Sequence, residues 1–421
     1  LMALPGGWVA DRIVGARNSV FYGGVLIAAG QFTLAFSSTV PAGFYTGLIL
    51  IVLGTGLLKP NVSAIVGDLY PEGGARRDAG FSVFYMGINL GAFIGPILCG
   101  YLGENIAWKY AFMAAGAGMA LGLVQYKVGA GLGDMGGKPE LQPAEKRQTN
   151  QVLAGVFALV AIITVALYFL QSRGITAFTL QQFAGAMGVV IVGLAVVYFA
   201  YHILFGSWTV VEKKRLGVIF FLFIGAALFW SGFEQAGSSM NLFAERLTNR
   251  VIFGWEAPAS WLQAVNPIFI IAFAPVFGWL WLALGRFNPS LAVKFGLGLV
   301  LLGVGFLVMA WAAVYASPDN GVSPMWLVAT YFLHTSGELC LSPIGLSATT
   351  KLSPKPLVGQ MMGIWFMGAA LGNLVAGLVA GQIENLPLPQ LFGTVAAIVI
   401  GSGILFVLFK GPITKLAQGV E

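Results

Sequence analysis

Three side chains carry full charge inside apolar stretches long enough to cross a membrane: Lys59, Glu234 and Glu338. A charge at the bilayer centre costs roughly 2.5 to 3.5 kcal/mol on insertion scales, so each needs a partner or a task. Lys59 stands in Gly54-Thr-Gly-Leu-Leu-Lys59-Pro60-Asn61, where Pro60 removes a backbone donor and biases the residue before it away from helical geometry. The sequence therefore predicts a kink at the cation. Glu338 has His334 at i−4 and Ser342 at i+4, three polar groups on one helix face, and Ser342-Pro343 predicts a loss of helix regularity beside them. Tyr85 and Asn89, also i and i+4, present a phenol and an amide, neutral groups that can both donate and accept hydrogen bonds; an interhelical hydrogen bond is the other reading of Asn89. Glu234, one turn beyond Trp230, is either a proton carrier or a salt-bridge partner. A His-x-x-x-Glu pair admits a proton relay or an ordinary hydrogen-bonded histidine, and no metal site is expected from it. No nucleophile and base cluster accompanies these residues, so the chain is not expected to be an enzyme.

The elements that must hold these groups are transmembrane helices. Hydrophobic residues make up 58% of the chain, charged residues 9%, and there are 58 glycines, which lets helices approach closely in lipid. Runs long enough to cross about 30 Å of hydrocarbon occur near 19–37, 42–69, 79–102, 107–127, 151–171, 180–205, 215–243, 259–284, 291–316, 323–350, 357–382 and 388–409. Strand-like alternation fails throughout, which argues against a barrel. Placing Arg12 and Arg17 inside leaves only Lys109, Arg173, Arg246 and Arg250 of the 22 basic residues outside, with Lys59 in the membrane. This positive-inside bias puts both ends of the chain in the cytoplasm. Basic residues spread over many short loops give no support to nucleic-acid binding. Cys99 and Cys340 both fall in apolar spans and imply neither a disulfide nor a zinc site. The Gly-, Pro- and charge-rich stretch 128–150 reads as a linker, and the hairpin that follows it as a lipid-facing pair without chemistry, with His202 an interfacial or packed histidine.

Gly7-Trp-Val-Ala-Asp11-Arg12-Ile-Val-Gly15-Ala-Arg17 fits G-x-x-x-D-R-x-x-G-x-R, the short cytoplasmic loop between the second and third helices of the major facilitator superfamily. Gly7 and Gly15 would permit a tight turn and close helix approach, while Asp11 could cap a helix and pair with Arg12 and Arg17, forming a cytoplasmic latch; simple anchoring of basic residues inside is the alternative. The chain further resembles the proton-dependent oligopeptide transporter family at Gly54–Ser63, at Phe81-Ser-Val-Phe-Tyr85-Met-Gly-Ile-Asn89-Leu-Gly91-Ala-Phe-Ile-Gly95-Pro96, at Phe229-Trp230-Ser-Gly-Phe-Glu234-Gln235 and at Gly337-Glu338-Leu-Cys-Leu-Ser342-Pro343-Ile-Gly345. This resemblance implies an all-α major facilitator fold of two six-helix bundles with an inserted helical hairpin, fourteen helices of which about twelve fall here. The expected domains are 1–127 for the N-terminal bundle, 128–150 for the linker, 151–211 for the hairpin and 212–421 for the C-terminal bundle. It also implies a first helix with an E-x-x-E-R-F-x-Y-Y pattern and most of a second helix preceding Leu1.

By this resemblance the protein is a proton symporter importing di- and tripeptides, and peptide-like drugs among them, by alternating access. A zwitterionic peptide needs a fixed cation and a fixed anion: Lys59 near its carboxylate, or paired with a glutamate of the first helix, and Glu338 at its amino group, with Asn266 helping. Without substrate, Lys59 and Glu338 could pair with each other. Tyr85, Asn89 and Ser342 would join them, and Trp230 and Trp365 would wall the side-chain pockets; helix capping by Asn266 and ordinary packing of both tryptophans are the alternatives. Proton coupling and gating would involve Glu234, Glu338 and Lys59, and Phe233 stands where some relatives have a second acid. No cofactor is expected beyond the coupling proton. The expected setting is a bacterial cell membrane, with the lipid bilayer and substrate peptides as partners, the C-terminus cytoplasmic and the functional unit a monomer. A facilitator for nitrate or drugs would share the Asp11–Arg17 segment but give no reason for Glu338, and a transport-inactive receptor of the same fold is the third reading.

Overall fold

The computed structural model describes residues 2–37, 41–69, 74–129, 180–317, 320–354 and 357–417, with scattered positions between 142 and 173. Most of the linker and the first helix of the inserted hairpin therefore lie outside the described residues. The elements run α1 (Ala3–Val9), a π-helical turn (Ala10–Val14), α2 (Ala16–Ala35), α3 (Pro41–Asp68), α4 (Gly74–Asn105), α5 (Trp108–Val128) and α6 (Leu180–Leu204). Then follow α7 (Val210–Phe233), a 3-10 turn (Glu234–Gly237), α8 (Ser239–Leu247) and a minimal hairpin, β1 (Val251–Ile252) with β2 (Trp255–Glu256). A second 3-10 turn (Ala259–Ala264) leads into α9 (Val265–Ala283), and the chain closes with α10 (Leu291–Tyr315), α11 (Met325–Leu352), α12 (Val358–Ala380), α13 (Leu388–Leu408) and α14 (Lys410–Ala417). Among the described residues nine helical stretches are long and apolar enough to cross a membrane, so this is a multi-pass membrane protein.

The chain forms two compact units: Leu1–Gly87 with Leu102–Phe183, and Ile88–Tyr101 with Ala184–Glu421. In the first unit α2 and α3 touch backbone to backbone. A Cβ at Gly54 would come 2.5 Å from the Gly23 carbonyl oxygen, and one at Gly23 would come 2.7 Å from that of Gly54. Lipid tails compete equally for apolar surface, so such small-residue seams rather than bulky side chains draw membrane helices together. The Asn61 amide adds polar anchorage, donating to the Leu57 carbonyl (2.7 Å) and, on α1, to that of Gly6 (3.3 Å).

The second unit has a dense aromatic core in which Phe229, Phe295, Phe306 and Phe392 are wholly buried. Its central seam is α10 against α11: a Cβ at Gly298 would lie 2.9 Å from the Gly337 carbonyl oxygen, and one at Gly337 would lie 2.6 Å from that of Gly298. Helix α6 belongs to this unit. Its Ile191, Ala195 and Phe199 are buried in the core, and Tyr198 donates from its hydroxyl to Gln360 Oε1 on α12 at 2.6 Å, while its other face exposes valines and leucines.

Local structure departs from the sequence expectation at four places. The Gly7–Arg17 segment is not a short loop: α1 continues through the π-helical turn, and the chain turns only at Gly15, whose φ of 82° is a left-handed value that favours glycine. No glycine or proline stands from Ala10 to Val14 to stop the helix earlier. The close approach also falls at Gly6, where a Cβ would collide with the Gly56 carbonyl, whereas the space beside Gly7 is open. Third, the 215–243 span is broken, because α7 ends at Phe233 and a 3-10 turn precedes α8. Fourth, Pro343 sits inside one continuous helix, so the expected loss of regularity at Ser342-Pro343 does not occur; Pro60 likewise sits inside a continuous helix. Prolines are tolerated in membrane helices when neighbouring groups satisfy the freed backbone.

Candidate functional site

The best-defined polar group lies in the second unit. Asn266 is the second residue of α9, and Pro267 follows it in the first turn, where a missing N–H costs nothing. The Asn266 amide nitrogen donates to Thr335 Oγ1 at 2.8 Å and to Glu338 Oε2 at 3.3 Å, both on α11. Thr335 is wholly buried and Glu338 is 8% exposed. Both amide hydrogens are thereby used. Asn266 Oδ1 and Glu338 Oε1 have no partner among the described residues, so the trio presents two acceptors and one negative charge. That is an arrangement for a cation rich in N–H donors.

Glu234 opens the 3-10 turn after α7, half-buried, and lies within electrostatic reach of Glu338. Gln235, fully buried beside it, donates to the Ser231 carbonyl (3.2 Å) and accepts from Ser239 Oγ (2.8 Å), so side chains hold the broken helix end. Trp230 meets Phe233 edge-on, with centroids 5.2 Å apart, and packs its Cβ against Gly372 on α12. Trp365 is buried at 5% exposure, edge-on to Phe295 and fitted over Gly345. Ser342 is half-buried, and its hydroxyl is enclosed without a hydrogen-bond partner among the described residues.

His334 is fully buried and fills the hole left by Gly305, where a Cβ would come 2.5 Å from the imidazole Cδ2. Its ring centroid is 4.9 Å from that of Phe306 and 6.5 Å from that of Phe233. Neither ring nitrogen makes a hydrogen bond of normal geometry, although the Leu302 backbone lies close enough to act on the ring.

In the first unit Lys59 is exposed on α3 and has no acidic partner among the described residues. Asn89, on the part of α4 that clusters with the second unit, is 8% exposed. The side chains of Tyr85 and Asp11 lie outside the described residues. In the segment read as a latch, Arg12 pairs with Glu145 at 3.3 Å, and the Arg17 carbonyl accepts from the Tyr126 hydroxyl at 3.3 Å.

Two residues were missed from sequence. Thr335 stands three residues before Glu338, a polar neighbour on the same helix face, and that spacing was the available signal. Lys294, counted with the loop cations, is in the first turn of α10, 7% exposed, with its Nζ 4.7 Å from the centroid of the Trp281 ring.

A family model described as "POT family" matches residues 17–395. The chain is 41% identical over 441 residues to the peptide transporter YePEPT of Yersinia enterocolitica, a match covering 100% of this chain and 85% of that protein. It is 38% identical over 424 residues to the uncharacterized transporter YclF of Bacillus subtilis, covering 100% of this chain and 84% of the other. Among solved structures, a peptide transporter POT in complex with sulfate superposes with a TM-score of 0.91 at 39% identity, over 99% of this chain and 84% of that one. A POT family transporter in complex with 5-aminolevulinic acid superposes with a TM-score of 0.89 at 34% identity, over 98% and 85%.

Proposed function

The chain belongs to the POT family of transporters and has their major facilitator fold; it is not an enzyme, and from that premise we propose that it imports di- and tripeptides together with protons by alternating access. The observation that carries this reading is the Asn266–Thr335–Glu338 group. A peptide's terminal ammonium has three N–H donors and a charge. Glu338 supplies the opposite charge and one acceptor, Asn266 Oδ1 supplies another, and neither depends on the peptide's side chains. A relative bound to 5-aminolevulinic acid, a small molecule with an amine and a carboxylate, fits the same demand.

Lys59 answers the other end of the substrate. A lysine on a membrane helix with no acidic partner among the described residues is free to meet a carboxylate, and an ammonium can do so at varied angles. Tyr85, Asn89 and Ser342 would bond the peptide between these ends, and Trp230 and Trp365 would shape its side-chain space. Glu234, within electrostatic reach of Glu338, is the carboxylate whose protonation would be felt at the ammonium site, so proton and peptide bias one equilibrium. Alternating access between the two halves of the fold then carries both across a bacterial cell membrane, with the C-terminus in the cytoplasm. Peptide-like drugs carrying the same two charged ends would be cargo as well, and a monomer suffices.

The test is dipeptide uptake into liposomes by protein expressed from its complete reading frame. Glu338→Gln should lower proton-driven uptake at least a hundredfold while leaving the melting curve cooperative. Native-like uptake by this variant would remove the ammonium role from Glu338.

A further inference from the structure

Thr335 has no role in the proposal above except as a neighbour, yet its hydroxyl, bonded to the Asn266 amide, can both give and take a hydrogen bond without changing charge. It is fully buried and faces the same amide nitrogen that faces Glu338. A carboxylate can only accept, so with Glu338 charged the Asn266 NH₂ must face it, and Thr335 must accept the second amide hydrogen. Asn266 Oδ1 then points away from both. A protonated Glu338 reverses the demand, because its O–H needs an acceptor.

We propose that Thr335 is a positioning residue that lets the Asn266 amide reverse when Glu338 takes up a proton, turning an ammonium acceptor site into one that rejects the ammonium. In that step a hydronium ion from solvent gives its proton to Glu338 Oε2, breaking its own O–H bond and leaving a neutral water. The Asn266 amide group rotates by about half a turn, and its Oδ1 then accepts from both Glu338 O–H and Thr335 O–H. The two N–H groups come to face the side where Oδ1 had been, toward the bound ammonium. Deprotonation returns the proton to water and restores the arrangement seen here. The only covalent changes are the O–H bond broken in hydronium and the Oε2–H bond formed.

The surroundings leave Glu338 as the group to titrate. Helices α7, α9, α10 and α12 pack on α11. α9 and α12 contain no ionisable side chain, and α10 has Lys294 and Tyr315, both near its ends. α7 carries its charges in its first two turns, Glu212 to Arg215, and Glu234 follows its last residue; α11 itself adds Tyr331, His334, Cys340 and Lys351. Of these, Glu234 acts directly on Glu338, so its charge would set where on the pH scale the reversal occurs.

This inference rests on the ammonium reading of Glu338, and one experiment separates the two. Affinities for dialanine and N-acetyl-dialanine are measured between pH 5 and 8 for the native protein, for Thr335→Val and Thr335→Ala, which lack the hydroxyl, and for Thr335→Ser, which keeps it. The native protein should prefer the free amine, by a margin that shrinks at least tenfold toward acid pH. Thr335→Ser should restore that profile, while the Val and Ala variants should show a weaker preference that changes less than threefold with pH. The alanine variant leaves only a small gap and supplies a folded comparison if valine overpacks. Should Glu338→Gln lose the preference while the hydroxyl-less variants keep native preference and pH dependence, the reversal is wrong and the ammonium site stands. If Glu338→Gln keeps the preference, the site itself is wrong and the reversal falls with it.

Discussion

The two units hold their buried and half-buried polar groups in opposite ways. In the second, Asn266, Thr335 and Glu338 are locked to one another, His334 is seated in the hole at Gly305, and Lys294 lies over Trp281. In the first, Lys59 is exposed and has no ion pair among the described residues, while the α2–α3 seam beside it closes on glycines and Asn61 bonds only backbone carbonyls. The difference teaches where preorganisation resides. An ammonium site can be finished inside one unit because its acceptors hold each other in place, while a lone cation stays unfinished until a ligand or another segment supplies the anion. The two lysines state the contrast within one residue type: buried Lys294 has a structural setting already made, and exposed Lys59 does not.

The sharpest way to break this contrast is to remove each unfinished or finished cation in turn. Lys59→Ala should lower proton-driven accumulation of a dipeptide by at least tenfold yet leave stability within about 0.5 kcal/mol, as expected of an exposed position; a large fall in unfolding temperature would mean that it is structural after all. Filling a seam comes next: Gly298→Ala should destabilise the second unit by about 2 kcal/mol, because the new methyl meets the Gly337 backbone rather than a yielding side chain, and thermal unfolding checks it. Lys294→Ala should cost about 1 kcal/mol through the lost stacking and packing on Trp281, with dipeptide affinity unchanged, which binding and melting measurements read together. The smallest effect is expected at α6. Tyr198→Phe removes one hydrogen bond to Gln360 and should lower stability by about 1 kcal/mol or less, leaving uptake intact, as parallel melting and liposome assays would show.

What could be read from sequence divides along the same line. Long apolar runs must be helices in lipid because every backbone group has to be satisfied within the segment, so the spans, and the facing of Asn266 toward Glu338 that the family resemblance suggested, were accessible. The end of α7 at Phe233 was not, since Glu234-Gln235 looks like any polar pair in an apolar span, and only the bonds of Gln235 to Ser231 and Ser239 show that side chains take over there. Thr335 escaped because threonine in a membrane helix usually bonds its own backbone, and only tertiary packing turns this one toward α9. Lys294 escaped for a different reason: charge counting assigns a lysine near a span end to the loop, whereas a long apolar stem and a tryptophan one helix away allow it to be buried. In the Gly7–Arg17 segment the pattern was right about Gly15 and silent about Glu145, which lies more than a hundred residues away from Arg12 in the chain.

Pro343 gives α11 a mechanical property that its continuous helical outline conceals. With no amide hydrogen at that position, the carbonyl one turn earlier, on Leu339, has no helical donor, and this gap opens one residue after Glu338. The helix can flex at that level without surrendering a backbone bond, so its two halves act as a pair of levers on a shared pivot, with the carboxylate right beside that pivot.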